Sequence, residues 1–377
     1  MKIDIIFSII INEFGGEKMY SISNLERINY PKELVYDLTR LYTYKGRDSH
    51  FEDFLKQYMS QIVKNTVEND VIATAKILKL DVNENRLRLI VKKDSEPRTK
   101  HEKLLRNLKE VFTLIQKEGE KLNLQSNEFL QLGTWIFKDV SRFGFKSDTV
   151  IDTSTILTER KKVSRREKLD EEIKKFIEAK DKLKVEHTQC ITSFYVDLLN
   201  MKCFDMANEF VSLMTCYCLF FSVGFKVFRY SSFFEFYYKH IDEFKKYESE
   251  SSYGWEQGYA KTDELDRLFI NSMLEGYNKA EKMVRDVEFD KGLRKIDNVE
   301  GVIMKLGDTF SREDIKLKVP NLSDSTINRA LNKLKAEGKI RPDGTGRSAK
   351  WVRLVPDELF TSKTLQYNIF DFIKDKN

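Results

Sequence analysis

Apolar residues in the first third of the chain return every three or four positions. Leu34, Leu38, Leu41 and Tyr42 do so after Tyr30-Pro31, and Phe51, Phe54, Leu55, Tyr58, Ile62 and Val63 continue the pattern. This predicts amphipathic helices with one face toward a core. Beyond the run 71–80, a further helix is expected over residues 101–121, where Leu104, Leu105, Leu108, Val111, Phe112 and Ile115 keep helical spacing. The period changes between residues 142 and 158. Gly144 and the β-branched Val150, Ile151, Thr153, Thr155 and Ile156 predict a short hairpin there, and charged, helix-favouring sequence resumes over 161–184. Residues 210–225 are almost continuously apolar, include Ser212, Thr215 and Ser222, and are too few to span a bilayer. They read as the central helix of a bundle.

Toward the ends the pattern weakens. The apolar run 3–11 is interrupted by Asp4 and is followed by no small-residue cleavage site, so it reads as a buried strand or an N-terminal arm rather than a signal peptide. Met19 is an alternative initiator to Met1. The charged segment 282–298, poor in large apolar residues, is expected to hold a linker. Phe360, Leu365, Ile369, Phe372 and Ile373 suit one amphipathic helix near the C-terminus. No internal repeat or low-complexity tract stands out.

Composition sharpens this picture. The 377 residues predict two or three domains. A 41% hydrophobic fraction, with 27 Phe and 16 Tyr, supplies enough apolar surface to exclude a disordered chain, and the low counts of 16 Gly and 5 Pro favour a mainly α protein. Cys190, Cys203, Cys216 and Cys218 sit in apolar, helix-like sequence without metal or disulfide spacing, as reduced thiols of a cytoplasmic protein would. Nor do His50, His101, His187 and His240 have a metal-ligand spacing, so no metal site and no membrane span is expected.

The net charge is +5, and residues 299–356 hold 12 Lys and Arg against 7 Asp and Glu, which accounts for all of it. That segment has the layout of a winged helix–turn–helix. Thr309-Phe310-Ser311 followed by Glu313 and Asp314 resembles a helix N-cap, and Ser323 to Arg329 opens a second helix that Gly338 ends. Ile327, Leu331 and Leu334 recur at i, i+4, i+7 and face inward, which turns Ser325, Thr326, Asn328, Arg329 and Lys333 toward solvent. Two strands follow, carrying Arg341 on the first and Arg347 and Lys350 on the second around a turn at residues 342–346. Such residue types reach phosphates and base edges in a major groove. The same module serves elsewhere as a protein-docking surface.

A family resemblance covers most of the chain. Arg229-Tyr230-Ser231-Ser232-Phe233, the pair Tyr237-Tyr238, Ser251-Ser252-Tyr253-Gly254-Trp255, and Phe269-Ile270 with Tyr277 resemble the latter half of a Fic domain. Tyr44-Lys45-Gly46-Arg47 and the run 71–91 are similar to the N-terminal region of Fic proteins, and residues 309–354 to their C-terminal winged helix. The resemblance implies a Fic-type helical bundle with a small β-hairpin plus a winged helix. It divides the chain into an N-terminal Fic-associated region (1–100), a Fic-like helical domain (101–290), a linker (291–298), a winged-helix domain (299–356) and a tail (357–377).

Fic enzymes transfer AMP with a loop reading His-Pro-Phe-x-Asp/Glu-Gly-Asn-Gly-Arg, a second Arg three residues on, and a Gly-aromatic pair after the next helix. Aligning Gly224-Phe225 on that pair puts the loop at residues 202–210, where only Phe204 and Asn208 match. Lys202 stands for the His that acts as general base, and an ammonium has no lone pair to take a proton. Met206 replaces the acidic magnesium ligand and offers no hard oxygen. Ala207, Glu209 and Phe210 replace the two glycines and the Arg of the anion hole, and Leu213 replaces the second Arg. An inhibitory-helix motif is similar to Thr74–Lys79, with Leu78 where relatives carry the Glu that restrains that Arg. Loss of both partners avoids leaving one buried charge alone. The resemblance therefore implies a non-catalytic pseudoenzyme, AMPylation-deficient, with no cofactor, that binds DNA as a homodimer. Two readings stay beside it: a protein-interaction scaffold, and an altered nucleotidyl transferase using ATP and magnesium through Lys202 and Asn208.

Overall fold

A computed structural model describes residues 21–27, 30–121, 124–151, 162–181, 185–319, 322–344 and 350–354. The protein is mainly helical with small antiparallel sheets, and divides into two compact units, Met1–Ala280 and Glu281–Asn377. Residues 3–11 and the tail 357–377 lie outside the described residues.

In the first unit, helix α1 (Lys32–Lys45) starts after Pro31, whose missing N–H costs nothing at a helix start, and buries Leu34, Leu38 and Leu41. Helices α2 (Asp48–Leu55) and α3 (Met59–Ile77) follow. Helix α4 (Glu84–Lys93), capped by the Asn83 side chain, was not foreseen, because its three buried residues, Leu87, Ile90 and Val91, are too few to declare a period. Helix α5 (Lys100–Glu118) matches its expected span and buries all six of the predicted apolar positions. Helix α6 (Ser126–Ile136) was also not foreseen. In its last turn Gly133 lets the Phe143 ring come to 2.1 Å from where a Cβ would stand, so no other residue fits.

The hairpin forms with its second strand later than expected. Strand β1 (Thr149–Ile151) pairs antiparallel with β2 (Lys162–Ser164), Thr149 opposite Ser164, in a stretch read as the start of a helix. Thr153, Thr155 and Ile156 lie outside the described residues. Helix α7 (Arg165–Asp181) begins at once after β2.

Helices α8 (His187–Met201) and α9 (Asn208–Ser222) form the centre, and α9 buries every residue from Phe210 to Phe221. Around it lie helices α10 (Phe233–Lys239) and α11 (Ile241–Ser252). Aromatic rings of this core meet at centroid distances of 5.0 Å (Phe112–Phe234), 5.1 Å (Phe228–Phe233) and 5.5 Å (Phe220–Phe269), within the range where ring contact adds to area burial. No helix among the described residues is long and apolar enough to cross a membrane.

Helix α12 (Asp263–Met304) includes residues 291–298, so the stretch expected as a linker is helical. Lys, Glu and Arg are strong helix formers even where apolar residues are sparse.

In the second unit, strand β3 (Thr309–Phe310), helices α13 (Arg312–Lys318) and α14 (Asp324–Ala336), and strands β4 (Ile340–Asp343) and β5 (Lys350–Arg353) form the helix, helix and hairpin order of a winged helix, with sheet order β3-β5-β4. Thr309 and Phe310 do not belong to a cap as expected. They pair with Val352 and Trp351, and Ser311 alone caps α13 through a reciprocal capping box with Asp314. Phe310, Ile315, Ile327, Leu331, Leu334, Ile340 and Trp351 close a small core. Gly338, at φ 72°, lets Lys339 N–H reach back to Leu334 O at 2.9 Å and stop α14.

Candidate functional site

Two left-handed residues bracket the loop between α8 and α9. Lys202, at φ 46°, ends α8 with its side chain exposed, and Ala207, at φ 51°, starts α9. Between them the loop is fastened from two sides. On one, Asp205 N–H donates to Gly144 O at 3.0 Å, Gly144 N–H to Asp205 Oδ1 at 3.1 Å, and Lys146 N–H to Cys203 O at 3.0 Å. On the other, Asn208 Oδ1 accepts from Phe204 N–H at 2.9 Å while its Nδ2 donates to Phe204 O at 2.8 Å, closing a ring that holds both backbone groups of one residue. Phe204 is buried against Phe143 and Phe145, with centroids at 5.0 and 5.4 Å.

The inward positions of this loop and the following helix are apolar. Phe210 and Leu213 are buried, and Phe210 lies 6.3 Å from the Phe234 ring. Met206 is half-buried and its sulfur accepts from Ser141 Oγ at 3.4 Å. The two loop carboxylates point to other work: Asp205 holds Gly144, and the exposed Glu209 pairs with Lys245 at 2.9 Å. Burial pushes the Cys203 thiol up to about 12, which leaves it without thiolate character. Gly224, at φ 83°, ends the α9 segment, and the buried Phe225 ring carries the Lys45 ammonium 4.1 Å from its centroid. Thr74 is fully buried in α3, and the half-buried Leu78 caps that helix through N–H donation to Thr74 O at 2.9 Å.

Sequence reasoning missed a set of buried carboxylates, because single acidic residues within apolar helices carry no local pattern. Asp197 accepts from the N–H groups of Ser21 at 2.9 Å and Ile22 at 3.0 Å and from the Trp255 indole at 2.6 Å, which ties an N-terminal 3-10 turn (Ser21–Arg27) to α8. Glu172 lies beside it, and burial together with the Asp197 charge raises the Glu172 carboxyl. Asp70 accepts from Ser232 Oγ and Phe234 N–H, and burial pushes its carboxyl up to about 7. Asp266 is raised by burial and the nearby Glu186, and accepts from Thr192 at 2.8 Å. Among the described residues no three His, Cys, Asp or Glu side chains converge as a metal-binding set.

In the second unit, α14 carries the polar face expected of it with one correction. Thr326 is buried, not turned to solvent, because its hydroxyl is drawn into the cap at 2.9 Å from Ser323 Oγ. Ser325 and Arg329 are exposed and Asn328 is half-buried. Lys333 is shared between Asp297 at 4.0 Å and Glu337 at 3.9 Å. Asn332, also exposed, was overlooked; it completes an i, i+4, i+7 stripe with Ser325 and Arg329. On the hairpin, Arg341 opposes Val352 and Asp343 opposes Lys350. Arg341 and Lys350 thus share the face opposite the buried Ile340 and Trp351. Arg347 lies outside the described residues.

No family model matches the sequence, and no curated relative matches it. Among solved structures, the chain is similar to the crystal structure of a Fic family protein from Desulfovibrio desulfuricans G20, at 10% sequence identity and a TM-score of 0.49, over 87% of this chain and 98% of that one.

Proposed function

We propose that this protein is a Fic-type pseudoenzyme that binds DNA through its winged helix as a homodimer. The reading of the first unit rests on the loop 202–210. At Ala207, where the Fic motif carries a glycine, the backbone holds a left-handed conformation that suits glycine, and Asn208, a matching position, clamps both backbone groups of Phe204. The side chains Met206, Phe210 and Leu213 occupy positions that would otherwise serve magnesium and nucleotide, so AMP transfer, and ATP or magnesium held at this loop, are no part of the function.

The DNA reading rests on the exposed stripe Ser325, Arg329 and Asn332, with Arg341 and Lys350 on the outer hairpin face and the whole positive excess of the chain in this module. A guanidinium and a carboxamide on one stripe suit bidentate contacts to guanine and adenine edges, while the hairpin cations suit phosphates.

The test is enrichment of source-genome fragments on the full-length protein at two salt concentrations, comparing wild type with an Arg329→Ala, Arg341→Ala double variant. A discrete site, weakened by salt and lost in the variant, is expected. Equal recovery of all fragments refutes DNA reading and moves the module to protein docking, for which the 79% exposed Leu317 on α13 is the anchor. Label passing from ATP-magnesium to any protein refutes the pseudoenzyme.

A further inference from the structure

A groove of about 490 Å³ runs between α3 and α5, with the 3-10 turn Val227–Arg229 contributing to its wall. It shares no residue with the loop 202–213 or with Thr74 and Leu78. Four cations from three separate elements converge on it: Lys64 from α3, Lys109 and Lys117 from α5, and Arg229 from the turn. None of its lining residues is acidic. On a chain with 65 basic and 60 acidic residues, such segregation sets this groove apart from the general surface.

The cations differ in how far they are already engaged. Arg229 is held by Glu120 at 2.9 Å and Glu52 at 3.4 Å, carboxylates that Lys226 shares, so that group is balanced. Lys109 is tied to Asp94 at 2.6 Å. Lys64 and Lys117 are exposed and have no carboxylate within ion-pair distance among the described residues, although the neighbouring Glu118 feels the Lys117 charge, and they are the cations of the groove not already held in an ion pair.

Between the cations the groove is apolar on one side. Met59, Val63 and Val67 recur at i, i+4, i+8 along α3 and make a strip for an uncharged body. Gln116 stands in the opposite wall. Its Nε2 donates to Phe228 O at 2.7 Å and to the Tyr217 hydroxyl at 2.9 Å, which uses both amide hydrogens and fixes the orientation of the carboxamide. Its Oε1 is left buried without a hydrogen-bond partner.

We propose that this groove binds a small organic phosphate of the di- or triphosphate class, its phosphates on Lys64 and Lys117 and its apolar body along the α3 strip. The site is separate from the loop 202–213 and stands whether or not the winged helix binds DNA.

The experiment titrates the full-length protein with ADP and, separately, with inorganic pyrophosphate, by calorimetry in magnesium-free buffer at constant ionic strength. Saturable one-to-one binding of ADP is expected, tighter than that of pyrophosphate, which lacks the apolar body. A Lys64→Ala, Lys117→Ala double variant should bind ADP at least about tenfold more weakly, since each lysine supplies a charge-assisted contact. The Lys64→Arg, Lys117→Arg variant should retain it. All four lysine substitutions are at exposed positions, and circular dichroism checks that the variants are folded. Absence of binding by either probe overturns the proposal. So does unchanged ADP binding by the double alanine variant, or binding lost in Lys202→Ala and kept in the double alanine variant, which would move the nucleotide to the other loop.

Discussion

Replacing Asp70 by Asn is expected to remove part of the pH dependence of the first unit's stability. The Asp70 carboxyl is fully buried in α3, accepts from Ser232 Oγ at 2.5 Å and Phe234 N–H at 3.0 Å, and is pushed by burial from 3.8 up to about 7. Between those values the unfolded chain has released a proton that the folded protein still holds, so raising the pH favours unfolding. The contribution is fully present below about pH 4 and is lost as pH rises through about 7. A shift of roughly three units corresponds to up to about 4 kcal/mol, a sizeable share of a typical domain's stability. Asp48, pushed up to about 6 by burial, and the raised Asp266 and Glu172 act with the same sign, so the wild-type slope exceeds the share of Asp70. The difference between wild type and variant isolates it. Urea unfolding from pH 5 to 8.5, followed by tryptophan fluorescence, reads that difference: Trp135 and Trp255 report on the first unit, and the contribution of Trp351 is common to both proteins. Asn keeps the two accepted hydrogen bonds without titrating. If the two proteins lose stability in parallel across this range, Asp70 is ionised in the folded state and the reasoning fails.

Three further outcomes follow from the geometry. Asp197→Ala leaves two backbone N–H groups and the Trp255 indole without their acceptor, each loss worth about 1–3 kcal/mol; limited trypsin digestion should release the segment preceding α1 faster than in wild type, and an unchanged rate would refute the tether. If the winged helix reads DNA, Arg329→Ala should lose about 1–3 kcal/mol of binding at a specific site, whereas Lys333→Ala loses less because Asp297 and Glu337 already share that charge; equal losses in a quantitative binding assay contradict this ranking. All four cysteines are buried, free thiols, raised by burial, so the native protein at pH 8 should leave a thiol reagent almost unreacted until denaturant exposes four equivalents.

Helical periodicity exposed α1, α3 and α5 because each has enough turns for its apolar face to repeat. It passed over α4 and α6, whose identity as helices depends on three or four buried residues apiece and, at Gly133, on a close approach by Phe143 that only the folded chain makes. The second strand of the hairpin was hidden by its charge, since Lys162 and Ser164 point away from the single buried residue, Val163. In α14 the i, i+4, i+7 core was legible, yet Thr326 shows that spacing does not reveal when a hydroxyl is taken up by a neighbouring cap. The apolar character of the loop at Phe204, Phe210 and Leu213 was readable in sequence. Its fastening by Gly144 and Asn208 was not, because those bonds join residues about sixty apart or close a ring that depends on the turn.

Ala207 bears on what such a loop would tolerate in a redesign. A left-handed alanine costs about 1–2 kcal/mol relative to a right-handed one, and here the cost is tolerated because the Asn208 ring and the Gly144 bridge dictate the path of the chain. The route of the backbone therefore does not depend on the residue best suited to it. Side chains on this loop can be exchanged without moving the track beneath them, and new groups set at Lys202, Met206 or Phe210 would arrive on a mould already cast.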